Sequence, residues 1–115
     1  NHMIYDAENT FMNQQDLSKG TKSEIMENRG GGDAYISLWF SAVANKALDS
    51  DATVTLKTGD KADMTDGKAV LTLTLPKGGK AAARLPAGMK SYMQAEVSGA
   101  TSGTVTVALV MDVDL

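Results

Sequence analysis

An all-β fold, an antiparallel β-sandwich or jelly roll with an extended N-terminal arm, is what this sequence predicts. Three observations predict it. Several short runs alternate apolar and polar residues with a period of two, and turn-forming clusters separate them at regular intervals. No run keeps a helical period for long enough to make a convincing amphipathic helix. Threonine and β-branched residues, frequent in the alternating runs, suit a pleated strand.

The elements follow in chain order. "MIYDAENTFMNQQDLSKG" scatters Ile4, Tyr5, Phe11, Met12 and Leu17 without a sustained period and reads as an arm that packs in pieces. "TKSEIMEN" reads as a short strand, and "RGGGD" (Arg29 to Asp33) as a flexible loop, because three consecutive glycines carry no side chains to fix the backbone. In "AYISLWFSA", Ile36, Leu38 and Phe40 share one face while Tyr35, Ser37, Trp39 and Ser41 share the other. "SAVANKALDS" reads as a helical turn or a loop. In "TVTLKT", Val54 and Leu56 oppose Thr53, Thr55 and Lys57; in "VLTLTL", Leu71, Leu73 and Leu75 oppose Thr72 and Thr74. "SYMQAEV" sets Met93, Ala95 and Val97 against Tyr92, Gln94 and Glu96. The last strand puts Val105, Val107, Leu109 and Met111 inward. Its outward row begins with Thr104 and Thr106 but continues with Ala108 and Val110, a second apolar face that needs cover from the arm or another subunit. Each large inward side chain contributes roughly 1.5–3 kcal/mol on burial, so such rows can hold the domain without metal or disulfide.

Length and composition bound the rest. At 115 residues, 43% apolar and 22% charged, the chain suits a single globular domain. We read 1–3 as a tag remnant and initiator Met, 4–20 as the arm, and 21–115 as one β-sandwich domain. The net charge of −3 provides no basic footprint for nucleic acid and no polybasic patch for an anionic membrane. No apolar run approaches the roughly 20 residues of a helical membrane span, and no charged-then-apolar leader is expected. His2, in the tag, is the one histidine, and cysteine is absent. Imidazole- and thiol-based catalysis, thiol redox chemistry and the usual zinc sites are therefore excluded.

Acidic residues gather at Asp49 and Asp51, and at Asp60, Asp63 and Asp66. Converging carboxylates bind calcium, but "DKADMTDG" lacks the alternate-residue spacing of an EF-hand loop, and aspartate is also an ordinary turn residue. Paired carboxylates also serve glycoside hydrolysis, which normally needs a cleft lined with aromatics, and only one Trp, three Tyr and two Phe are present. The serines and threonines lack a base to activate them. "SKGTKS" lacks phosphate-loop spacing, and "RGGGD" is no nucleotide motif. No enzyme activity, no cofactor and no metal are expected. Trp39 and Tyr35, on the outward face, read either as packing beneath the arm or as interface anchors, since such residues dominate binding energy. The candidate interface residues are Tyr5, Phe11, Met12, Tyr35, Trp39, Ala108 and Val110.

"ARLPAGMKSYMQAEVSGATSGTVTVALVMDV" resembles the closing stretch of a family of tailed-phage capsid cement (decoration) proteins. The elements that carry the resemblance are a turn with Leu85, Pro86 and Gly88, a strand opening at Tyr92, a hairpin with Gly99 and Gly103, and a last strand with Val105, Leu109, Val110 and Asp112. The opening "MIYDAENTF" and the middle "ATVTLKTGD" are also similar to that family, whereas Leu17 to Val43 departs from its pattern. The resemblance implies a jelly-roll subunit on the outer surface of an icosahedral capsid, made in the bacterial host cytoplasm. It implies association with itself, as a homodimer or alternatively a homotrimer, and with the major capsid protein; no nucleic acid and no membrane are implied. From a different class comes a small ligand-binding β-sandwich, a carbohydrate-binding or adhesin-like module with or without calcium.

Overall fold

Residues 10–28 and 38–110 are described by a computed structural model, in which they form eight strands. These are β1 (Thr10–Asp16), β2 (Met26–Glu27), β3 (Trp39–Lys46), β4 (Ala52–Gly59), β5 (Lys68–Leu75), β6 (Lys80–Arg84), β7 (Tyr92–Ser98) and β8 (Thr104–Val110). One sheet runs β1-β8-β3-β6 and the other β2-β7-β4-β5, with antiparallel pairing throughout. Strands pair first with last (β1 with β8, β2 with β7, β3 with β6, β4 with β5). That is the pattern of one long hairpin wrapped over two layers, a jelly roll. The all-β sandwich expected from the alternating runs is the fold of the chain.

Three segments differ from the sequence reading, each for a physical reason. Residues 10–16, read as part of an arm, form β1, an edge strand of the first sheet. Its pairing with β8 shifts register between Thr10 and Met12 and again between Met12 and Gln15, and Gln14 adopts a φ of 50°. Those irregularities bury the adjacent Phe11 and Met12 together, which erases the period of two. "SAVANKALDS" contains most of β3, an inner strand hydrogen-bonded on both sides, by β6 and β8. Two ladders override the modest helical preference of its alanines. "KAAAR" carries no polarity signal because its three central residues are all alanine, yet it forms β6 against β3. The short strand expected in "TKSEIMEN" is present as β2, and Thr21 and Ser23 extend its run beside β7 through hydrogen bonds to Val97 and Ala95.

Inward rows from both sheets make the core. Phe40, Val54, Leu56, Leu75, Met93, Val105, Val107 and Leu109 are fully or almost fully buried. Phe11 meets Phe40 edge to face, with ring centroids 5.8 Å apart and planes at 79°. Two bulges flank β8 at one level. The Gln14 amide donates to the Thr106 hydroxyl at 3.1 Å, and that hydroxyl donates to Asn45 Oδ1 at 2.6 Å, where the β3–β8 register also slips. Thr106 thus satisfies the irregular backbone on both sides.

At one end of the sandwich the loop 47–51 ties its neighbours together. The Leu48 amide donates to the Lys77 carbonyl at 2.7 Å, the Lys77 amide to Asp51 at 3.0 Å, and the Thr101 amide to Asp49 at 2.9 Å. Gly103 is required here: its φ is 106°, and a Cβ would lie 2.7 Å from the Ala47 carbonyl oxygen. The opposite end carries the loops 60–67 and 85–91.

Candidate functional site

Each candidate interface residue has a definite place or lies outside the described residues, as Tyr5 and Tyr35 do. Phe11 and Met12 are buried in the core, 8% and 2% exposed. Trp39, Ala108 and Val110 share the outward face of the first sheet, Trp39 lying directly opposite Val110 and Ser41 opposite Ala108. Trp39 is half-buried, and the Arg84 guanidinium from β6 stacks 4.8 Å from its ring centroid. Ala108 and Val110 are 0% and 1% exposed in the single chain, although neither belongs to the cluster between the sheets. The strand period and the register therefore bring three of the seven candidates onto one surface.

The acidic residues are engaged as turn acceptors. Asp49 accepts from the Thr101 amide and hydroxyl and from the Ser102 amide, and Asp63 accepts from the Thr65 amide and hydroxyl. Asp66 accepts from the amides of Asp60 and Lys61, closing the loop 60–67, and Asp16 accepts from Ser18. Asp60 reaches Lys90 Nζ at 3.4 Å across an exposed pair. Among the described residues no three metal-ligating side chains converge.

These hydrogen bonds favour the charged carboxylate and hold Asp16, Asp49, Asp63 and Asp66 below the ordinary aspartate value. Glu96 is lowered too, chiefly by its hydrogen bond from Lys57, with the pair at 2.8 Å. A carboxyl depressed in the folded state contributes stability that is fully present above its unfolded value, about 3.9 for aspartate. That contribution is lost as pH falls through the lower folded value. The melting temperature is accordingly expected to fall as pH drops below about 4, and Asp49→Asn to make the decline shallower. A melting temperature flat down to pH 3 would refute this account of the loops.

An open groove of about 300 Å³ lies near the loops 60–67 and 85–91, lined by Thr58, Asp66, Lys68, Val70, Gly88 and Lys90. The Thr58 hydroxyl accepts from the Lys90 amide at 2.8 Å and donates to the Tyr92 carbonyl at 2.9 Å, so its proton is already engaged. Gly88 stands at a φ of 88°. What the groove presents is two ammonium groups, one hydrogen-bonded carboxylate and the Val70 side chain. Sequence spacing contained no signal for it, because β4, β5 and the 85–91 loop meet there only in the folded chain. No protein-family model matches the chain, and a search of curated proteins finds no significant relative.

Proposed function

We propose that this chain is a structural protein of a tailed-phage virion that decorates the outside of an icosahedral capsid and bridges adjacent capsomers as a homo-oligomer. One observation carries the reading: the stretch that resembles the cement family has its turn residues where the backbone demands them. Gly88, Gly99 and Gly103 have φ values of 88°, 88° and 106°, Leu85 is buried, and Tyr92 opens β7. These residues form an ordered turn–strand–hairpin–strand unit, and that order supports the reading. A jelly roll is also the fold that the resemblance implies.

The physical demands of such a role are modest and fit this composition. A clamp needs a rigid scaffold and repeated attachment, and it needs no imidazole or thiol. Once one subunit of an oligomer docks, the others bind at high effective concentration, which strengthens attachment without new kinds of contact. The test uses the gene's neighbours. Expanded shells assembled from the major capsid protein encoded beside this gene are expected to co-sediment with the tag-free chain and to rupture at a higher temperature with it bound. Absence of a capsid gene nearby, or shells that leave the chain in the supernatant, would overturn the reading. A ligand-binding β-sandwich is the second reading, and the groove beside Val70 supports it. A melting shift on adding glycans or calcium, with no capsid attachment, would favour that reading instead.

A further inference from the structure

Among the described residues four strands form the edges of the two sheets, and three of them are protected against pairing with another chain. β1 is broken by two register shifts, with Gln14 in the left-handed region. β2 is regular over only Met26–Glu27. β6 has a cation at each end, so a two-fold pairing about Ala82 would set Lys80 against Arg84 of the second copy. β5 is different. Its ladder with β4 is unbroken from Leu71 to Leu75, and that stretch contains no charge and no proline.

We propose that β5 is the edge through which two copies of this chain associate, pairing antiparallel about a two-fold axis at Leu73. This deepens the oligomeric part of the proposed function and rests on that reading only for the expectation that copies associate. The stretch "LTLTL" is a palindrome. Antiparallel pairing about its centre sets every leucine against a leucine and every threonine against a threonine. The chain already contains a close version of that ladder. In β4, Thr53 faces Thr74, Val54 faces Leu73, Thr55 faces Thr72 and Leu56 faces Leu71. A second β5 would present nearly the same pattern to the edge of β5 away from β4, in the same sheet geometry. Thr72 and Thr74 are exposed on the outward face, and Leu73 and Leu75 are buried on the inward one. The join would therefore make one continuous eight-stranded sheet, with threonine pairs on its wet side and leucine pairs on its dry side.

Sedimentation of the tag-free chain over a wide concentration range tests this. The native chain is expected to reach a dimer. Thr72→Lys combined with Thr74→Lys places lysine against lysine at both outward pairs and is expected to weaken association roughly tenfold or more. Thr72→Lys combined with Thr74→Glu makes the same two pairs complementary and is expected to restore it. Hydrogen exchange of the native chain supplies a second measurement that does not depend on either variant folding. Amides within Leu71–Leu75 are expected to gain protection as concentration rises. A native chain that stays monomeric overturns the proposal, as does exchange in β5 that ignores concentration. An oligomer indifferent to the lysine pair also overturns it, while leaving the cement reading intact through another surface. Loss of capsid attachment with the β5 dimer intact would instead sink the cement reading alone.

Discussion

Replacing Val110 with aspartate is expected to unfold the chain rather than merely split an assembly. Val110 is 1% exposed in the single chain and lies opposite Trp39 on the outward side of the first sheet. A carboxylate there would be taken out of water without the valine's packing, and an uncompensated buried charge costs about 3–5 kcal/mol. Small domains have only about 5–15 kcal/mol of stability in total. Denaturant midpoints and thermal melts read the effect directly. A variant as stable as the native chain would mean that Val110 is open to solvent, contrary to its burial here. Because folding itself is at stake, this substitution does not report on association, whereas the exposed Thr72 and Thr74 do.

Phe40→Ala is the second large effect. Phe40 sits in β3 between Leu109 of β8 and Ala83 of β6, has no exposed surface, and packs edge to face against Phe11. Truncation removes the ring and leaves a cavity that neighbours in two ladders cannot collapse to fill, at a cost of about 3–5 kcal/mol. Phe40→Leu keeps most of the volume and is expected to cost less than about 1.5 kcal/mol. Chemical denaturation of the two variants measures the difference. Equal losses would show that the site depends on the aromatic contact rather than on filled volume.

The two substitutions also mark what could be read in advance. Phe40 is legible as core because it alternates with Trp39 and Ser41. The same alternation separates Val107 and Leu109 from Ala108 and Val110. It gives no means of telling whether that second row is covered, since cover depends on chain that is remote in sequence. The turn aspartates are similar. Their positions in "LDSDA" and "DKADMTDG" announce turns, but Asp49 reaches Thr101 and Ser102, and Asp51 reaches Lys77, only because loops about 25 to 50 residues apart meet at one end of the sandwich.

The palindrome at Leu71–Leu75 is visible in the bare sequence, but its meaning is not. Whether β5 lies inside a sheet or at its edge is set by which strands pair, and a period of two carries no information about neighbours. By itself the sequence determined strand identity wherever one face is wet and the other dry, because a side-chain period follows directly from alternating solvent exposure. The residue inventory, with His2 the one histidine and no cysteine, is likewise read directly from the sequence. Only the tertiary structure decided the bulged strand β1, the alanine strand β6, the covered outward row of β8 and, among the described residues, the edge position of β5. In each of these, burial or pairing is supplied by residues far along the chain, and local patterning cannot encode it.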